Sequence, residues 1–179
     1  MRVKITTVAL IYTIVMLIFS LITVSALNAQ YLNNKRHDNY EKLPEFSYNT
    51  LDGKKFSNTD LKPNERLMSV YFNPLCELCQ DETSQILENI NYFQDIQIVM
   101  VTPGAKEEVL KFVSKFKLNK YHQITVLHDK EDTFYKKFDA MGYPTMYLYD
   151  TNNKMISKFE TEVEFDEIRD AFGTNVAKK

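Results

Sequence analysis

Two cysteines separated by two residues are the clearest chemical feature of the sequence. Cys76 and Cys79 are its only cysteines. They follow a short apolar run that ends at Pro74, and the residues after them show the three- and four-residue apolar spacing of an amphipathic helix. The pair is therefore predicted to lie where a buried strand gives way to a helix N-terminus. Free backbone N–H groups and the helix dipole favour a thiolate there, which is the reactive form of cysteine.

This placement gives the two sulfurs different tasks. In a helical turn the first sulfur is exposed at the tip, and the second faces inward three residues later. Such a pair can close a disulfide without unfolding the domain. We expect Cys76 to attack a substrate and Cys79 to resolve the mixed disulfide, so that the two form a redox-active disulfide.

Two cysteines at this spacing also occur in metal sites and in static disulfides. A zinc site requires four ligands, but the sequence has no second cysteine pair, and His37, His122 and His128 lack metal-ligand spacing. A static disulfide in an exported protein is a further alternative. No phosphate-binding glycine loop is present. The sequence therefore predicts no metal and no cofactor.

Charges near the cysteines bear on the direction of the redox reaction. The negative charges of Glu77, Asp81 and Glu82 oppose a thiolate at Cys76, whereas the helix terminus favours it. No Lys or Arg lies within six residues of Cys76 in the sequence. This balance favours a reductant over a strong oxidant.

Apolar patterns on both sides of the cysteines predict an α/β domain. Alternation at residues 46–50, a turn at Asp52-Gly53 and then Phe56 indicate a small hairpin. Strands are predicted at residues 67–72, 96–101, 122–127, 145–149 and 155–159, and helices at residues 77–93, 109–116, 134–138 and 165–172. Because strands alternate with helices, we expect a largely parallel sheet covered on both faces, closed by one antiparallel hairpin.

The N-terminal segment contains a long uncharged run. The 23 residues from Ile5 to Leu27 carry no charge, which is enough for one membrane-spanning helix of about 20 residues. Arg2 and Lys4 precede the run and favour a cytoplasmic N-terminus. A cleaved signal peptide is the alternative, with Val24-Ser25-Ala26 as its small-residue cleavage site. Both interpretations export the rest of the chain.

These patterns divide the chain into three parts: a membrane anchor at residues 1–27, a polar tether at residues 28–42 and a domain at residues 43–179. The hydrophobic fraction of 44% and the charged fraction of 26% are typical of a globular domain and exclude a multi-span membrane protein. The formal net charge of −2 gives no indication of a nucleic-acid partner.

Three segments make residues 43–172 resemble a thioredoxin-fold protein. Leu43-Pro44-Glu45-Phe46 with Asp52-Gly53-Lys54 resembles an additional hairpin, the segment from Val70 to Glu82 resembles the active site, and Gly142-Tyr143-Pro144-Thr145 resembles the cis-proline loop. The chain is most similar to the membrane-tethered thiol–disulfide oxidoreductases of the bacterial envelope, some of which serve cytochrome c maturation. This resemblance implies a thioredoxin fold, with a central mixed sheet flanked by helices, an N-terminal β-hairpin extension and one N-terminal transmembrane helix.

The resemblance also implies roles for individual residues. The Tyr143–Pro144 bond should be cis, and its loop should face Cys76 and bind the extended backbone of a substrate. Glu82, the acid three residues after Cys79, should act with the two cysteines in catalysis by moving protons. The implied partners are proteins with thiols or disulfides and an electron-donor protein of the membrane or envelope.

The sequence departs from this family at three points. It has no Trp before the first cysteine, Glu77-Leu78 stands in place of Gly-Pro, and Tyr143 replaces a smaller residue. Two other functions on the same fold are therefore kept as alternatives. A copper-binding or delivery module requires a Cys-x-x-x-Cys pair and a distant His. A thiol peroxidase requires Thr or Ser three residues before its cysteine, where Asn73 stands.

The sequence as a whole predicts a thiol–disulfide oxidoreductase. We expect a single-pass membrane protein whose domain lies on the extracytoplasmic (periplasmic) side. Its Cys-x-x-Cys pair should exchange disulfides with protein cysteines, and should reduce them rather than oxidise them.

Overall fold

The computed structural model describes residue 12, residues 14–25, residue 27 and residues 42–174. The chain divides into two units, Met1–Asn39 and Tyr40–Lys179. The described residues of the first unit are helical and exposed. Among the residues described, no helix combines the length and the hydropathy that crossing a membrane requires. The predicted anchor and tether lie partly outside the described residues, and both stay predictions.

Between residues 42 and 174, seven strands form one mixed sheet in the order β2-β1-β5-β4-β3-β6-β7. The strands are β1 (Ser47–Thr50), β2 (Lys55–Ser57), β3 (Arg66–Tyr71), β4 (Ile96–Thr102), β5 (Ile124–His128), β6 (Thr145–Tyr149) and β7 (Met155–Phe159). The predicted N-terminal hairpin, formed by β1 and β2, is confirmed.

The expectation of a largely parallel sheet is wrong, whereas the mixed sheet is confirmed. In the described domain only β3–β4 and β4–β5 pair in parallel, and the other four pairings are antiparallel. An alternating strand–helix pattern specifies pairing only between consecutive strands joined by a helix. The pairings of β1 with β5 and of β6 with β3 join strands that are distant in sequence.

Four helices accompany this sheet in the described domain: α1 (Glu77–Glu88), α2 (Lys106–Phe116), α3 (Phe134–Phe138) and α4 (Phe165–Thr174). The predicted single helix over residues 77–93 is α1 followed by a 3-10 turn, Ile90–Phe93. The α-helix ends because Asn89 closes it: its backbone N–H and its side-chain amide donate to the Gln85 carbonyl at 3.2 Å and 2.9 Å. The 3-10 turn then buries Phe93 completely.

Alternation along β3 separates the core into two layers. Met68 and Val70 pack on one face of the sheet with residues of α1, α2 and α4. Leu67 and Tyr71 pack on the other face with the aromatic side chains of α3 and of the hairpin. Because successive side chains of a strand point to opposite faces, both layers pack against β3, the strand that leads to the cysteines. The prediction that both faces are covered is confirmed.

The loop before α2 approaches the cysteine loop closely at Gly104. A Cβ atom on Gly104 would lie 2.8 Å from Cδ of Pro74. This contact follows from the parallel pairing of β3 and β4, which brings the loops after both strands to the same edge of the sheet. The Gly104 N–H also donates to Oγ1 of Thr102 at 3.1 Å, which fixes the turn.

Replacing Gly104 by Ala is expected to destabilise the domain by about 1–3 kcal/mol, because the added methyl group overlaps the ring of Pro74. The matched control is Gly173→Ala in α4, where a new Cβ meets no atom within 4 Å and should leave stability equal or slightly higher. Urea denaturation of both variants measures the difference. Equal free energies of unfolding would contradict the close-approach argument.

Candidate active site

Cys76 lies at the junction between β3 and α1. It is the N-cap residue of α1, with extended backbone dihedrals, and its side chain is half-buried. Asn73 shapes the connecting loop, because its side-chain oxygen accepts the N–H of Leu75 at 2.9 Å and its carbonyl accepts the N–H of Cys76 at 3.1 Å. Such turns are a common use of Asn. The loop thus holds the Cys76 sulfur at the helix N-terminus.

Cys79 lies one turn further into α1 and is only 1% exposed. Both cysteines are free thiols in the structure. Burial raises the pKa of the Cys79 thiol; a backbone N–H of Asn73 opposes the rise, and the side chain of Cys76 and the charge of Glu82 increase it. The structure therefore pairs a partly exposed thiol with a buried one, as predicted for an attacking and a resolving cysteine.

Glu82 is a buried carboxyl group next to this pair, and only 1% of its surface is exposed. Its Oε2 accepts the N–H of Val163 at 3.0 Å, and its Oε1 has no hydrogen-bond partner among the described residues. Burial raises the pKa of Glu82 to about 7, with smaller contributions from Glu162 and Glu164 and opposition from the Val163 N–H. This carboxyl therefore titrates near neutral pH, one helical turn from Cys79.

The loop before β6 completes the site. The Tyr143–Pro144 bond is cis, which confirms the prediction. The carbonyl oxygen of Tyr143 lies 3.9 Å from Sγ of Cys76 and accepts a hydrogen bond from the thiol. The predicted packing of this loop against the cysteine turn is therefore confirmed.

Sequence reasoning missed two residues behind this loop. The hydroxyl of Tyr71 donates to Oδ1 of Asp132 at 2.6 Å and lies 3.1 Å from the hydroxyl of Tyr143. Tyr71 ends β3 and pairs with Thr145 of β6, so an antiparallel β3–β6 pairing would have placed it beside Tyr143. The sequence around Asp132 carries no comparable signal.

A lysine near the first turn of α1 was also missed. Nζ of Lys115 donates to Oε1 of Gln80 at 2.6 Å, and Nε2 of Gln80 donates to the Pro74 carbonyl at 3.1 Å. The sequence around Cys76 carries no basic residue, but in the fold α2 brings Lys115 to Gln80, one helical turn after Cys76.

Two thiols alone do not complete a zinc ligand set. Across the described residues, no group of three or more His, Cys, Asp or Glu side chains is arranged to hold a metal ion.

A sequence model of the AhpC/TSA family matches residues 40–158, a range that includes both cysteines, Glu82 and the Tyr143–Pro144 loop. The chain belongs to the AhpC/TSA family. A search of curated proteins finds no significant match.

Solved structures share the fold of this AhpC/TSA chain. A secreted disulfide oxidoreductase of Mycobacterium tuberculosis, homologous to E. coli DsbE, is 17% identical with a TM-score of 0.62, and the match covers 76% of this chain and 98% of that one. A thiol-disulfide oxidoreductase from Bacteroides fragilis is 13% identical, with a TM-score of 0.63 and coverages of 75% and 98%. The thioredoxin domain of a thiol-disulfide oxidoreductase from Bacteroides vulgatus is 21% identical, with a TM-score of 0.62 and coverages of 76% and 96%. The thioredoxin-like fold predicted from the sequence is confirmed.

Replacing Glu82 by Gln should alter the pH dependence of stability. The folded pKa of about 7 lies above the ordinary value of 4.5, so the folded state binds more protons than the unfolded state between these values. Stability contributed by the protonated carboxyl is complete below about pH 4.5 and is lost as the pH rises through about 7. We expect Glu82→Gln to exceed the wild type in stability at pH 8, by up to about 3 kcal/mol, and the difference to shrink towards pH 5.

Urea denaturation of the full-length protein at the two pH values measures this difference. Glu88→Gln is the control, because Glu88 is an exposed carboxylate of the same helix and its replacement should have only a small effect on stability at both pH values. A Glu82→Gln difference that is equally pH-independent would contradict the titration.

Proposed function

We propose that the chain is an extracytoplasmic, membrane-tethered thiol–disulfide oxidoreductase that reduces disulfides of protein substrates through Cys76 and Cys79. One observation carries the proposal. The half-buried Cys76 thiol lies at the N-terminus of α1 and against the Tyr143 carbonyl, with the buried Cys79 one turn behind it. This arrangement combines an attacking sulfur, a resolving sulfur and a backbone carbonyl beside the attacking sulfur.

The reaction consists of two exchanges. The Cys76 thiolate attacks one sulfur of a substrate disulfide, so that a Cys76–substrate disulfide forms, the substrate S–S bond breaks, and the released sulfur takes up a proton. Cys79 then loses its proton and attacks the Cys76 sulfur, which forms the Cys76–Cys79 disulfide and releases the second substrate thiol. Two electrons pass from the protein dithiol to the substrate. An electron-donor protein of the envelope returns the pair to the dithiol.

Glu82 takes part in the second exchange as a proton acceptor. The Cys79 thiol must ionise to attack, and burial opposes its ionisation. A carboxyl with a pKa of about 7 accepts and returns a proton near neutral pH. Because the charges of Glu82 and the Cys79 thiolate repel each other, loss of the Cys79 proton favours protonation of Glu82.

The surroundings of Cys76 favour a polypeptide substrate. The Tyr143 carbonyl beside the sulfur can accept a backbone N–H from an extended chain. Exposed apolar side chains flank the same place, with exposed fractions of 70% for Leu75, 44% for Leu78 and 79% for Met141. The position at which a thiol peroxidase needs Thr or Ser is occupied by Asn73, whose side-chain oxygen binds the Leu75 N–H.

The two single cysteine variants test the division of labour. Cys79→Ser should attack substrates but fail to release them, so mixed disulfides should accumulate on a non-reducing gel. Cys76→Ser should trap nothing, because the buried sulfur cannot reach a substrate. The reverse pattern would exchange the two roles, and an absence of trapping with intact wild-type activity would refute the mechanism.

Two further measurements on the wild type separate the alternatives. Equilibration with glutathione gives the potential of the cysteine pair; a value near about −270 mV marks a reductant, and one near about −120 mV would reverse the proposed direction. Consumption of hydrogen peroxide that depends on Cys76 alone would favour a thiol peroxidase instead.

The proposed location has its own test. The support is the 23-residue uncharged run behind Arg2 and Lys4, so the protein should remain in the membrane fraction after an alkaline carbonate wash, and added protease should digest its domain in spheroplasts. Removal of residues 1–27 should leave the domain in the cytoplasm as the matched control. A mature N-terminus at or near Leu27 would overturn the anchor while leaving export intact.

A further inference from the structure

Tyr143 connects the hydrophobic core to the reactive sulfur. Its ring packs against both core layers and lies 4.6 Å from the ring of Tyr71. Its carbonyl, in contrast, accepts the hydrogen bond of the Cys76 thiol. The ring that packs in the core and the carbonyl that faces the substrate are therefore parts of the same residue, so the position of the ring affects the direction of the carbonyl.

The hydroxyl group of Tyr143 is the end of a directed hydrogen-bond chain. Tyr71 has one hydroxyl proton, and it donates this proton to Oδ1 of Asp132 at 2.6 Å, a distance typical of a bond to a carboxylate. The 3.1 Å contact between the two tyrosine hydroxyls must therefore be donated by Tyr143. Burial, followed by the bond to Asp132, raises the pKa of Tyr71, which keeps the proton in place.

Asp132 is the acceptor at the far end of this chain, and hydrogen bonds of the neighbouring Asp129 hold the loop that carries it. The buried carboxylate of Asp129 accepts the backbone N–H groups of Thr133 and Phe134, both at 2.6 Å. The N–H of Asp132 donates to the Asp129 carbonyl at 3.0 Å, and the ring of Phe134 stacks on Tyr71 at 4.7 Å. The segment between β5 and α3 thus presents the Asp132 carboxylate to Tyr71 in one place.

We propose that Tyr71 and Asp132 are positioning residues that hold the Tyr143 ring against β3 and thereby aim the Tyr143 carbonyl at the space beside Cys76, where a polypeptide substrate docks. The inference rests on the proposed function and adds to it how the substrate-binding carbonyl is positioned. Tyr71 and Asp132 act through Tyr143. Their loss should therefore impair docking of a backbone, while Cys76 keeps its place at the N-terminus of α1 and reacts with a small disulfide nearly as before.

Two disulfide substrates separate docking from chemistry. Insulin offers a polypeptide backbone beside its disulfides, whereas hydroxyethyl disulfide has no peptide group. The rate constants for oxidation of the reduced, full-length protein by each are measured by alkylating the remaining thiols. For Tyr71→Phe we expect the insulin rate constant to fall about five- to tenfold, the size expected for loss of one ordinary hydrogen bond. The hydroxyethyl disulfide rate constant and the redox potential should stay at wild-type values.

Changes at Asp132 give an independent arm, because its side chain lies on the surface. Its φ of 50° is better tolerated by Asp and Asn than by Ala, and the hydroxyethyl disulfide rate constant reports any general strain that Ala adds. Asp132→Ala should reproduce the selective loss with insulin. Asp132→Asn should restore most of the rate, since its amide oxygen still accepts the Tyr71 hydroxyl. The double variant Tyr71→Phe/Asp132→Ala should be no slower than the slower single variant, because the two residues act in one chain. Tyr149→Phe, which removes the hydroxyl of another buried tyrosine in the neighbouring strand β6, is the matched control and should react as the wild type does.

Three outcomes would overturn the inference. Wild-type insulin rates in both Tyr71→Phe and Asp132→Ala would show that the hydrogen-bond chain does not govern docking. Equal slowing with insulin and hydroxyethyl disulfide would reveal a general structural role instead of positioning. A wild-type protein inert toward both disulfides would remove the proposed function, and the inference with it.

Discussion

The contact between the Cys76 sulfur and the Tyr143 carbonyl is the interaction on which the rest of the site depends. It joins residues 67 positions apart, and it exists because β3 and β6 are antiparallel neighbours, so that the end of one strand meets the beginning of the other. On the opposite side of β3, the parallel neighbour β4 delivers Gly104 to the back of the cysteine loop. The interior position of β3 in the sheet thus supports the loop from both sides, and the Cys76 sulfur lies in a fixed environment.

The same site contains two buried ionisable groups whose negative charges oppose each other. Cys79 and Glu82 are both buried, both have raised pKa values, and the charge of Glu82 raises that of Cys79. A core built for stability alone would place a neutral or apolar side chain at position 82, because burying a carboxylate is costly when one of its oxygens has no partner among the described residues. The cost is tolerable near neutral pH since the carboxyl can remain partly protonated. A buried carboxyl that destabilises the fold when it is ionised is, for the same reason, suited to exchanging protons with a buried thiol.

Local patterns in the sequence were sufficient to predict much of this arrangement. The apolar run before Pro74, the helical spacing after it and the hairpin turn at Gly53 located β3, α1 and the N-terminal hairpin, and with them the positions of the cysteines and of Glu82. Pairings between distant strands were beyond these patterns, which is why the antiparallel contacts of β3 with β6 were not predicted. Tyr71 and Lys115 were missed for the same reason, since each gains its importance from an element that the chain reaches 30 or more residues away.

The large residue before Pro144 illustrates how a departure from a family pattern is accommodated. A tyrosine beside a reactive sulfur could obstruct a substrate, but here its ring lies over Tyr71 and its hydroxyl is bound inside the fold. That solution requires a hydroxyl at position 71 with a free acceptor function, and Tyr71 has one only because Asp132 takes its proton. Tyr71, Asp132 and Tyr143 therefore act together, because the hydrogen bond from Tyr71 to Asp132 fixes the direction of the one from Tyr143 to Tyr71. The proposed consequence for binding is that a surface carboxylate, in the segment between β5 and α3, sets how the Tyr143 carbonyl faces a substrate beside Cys76.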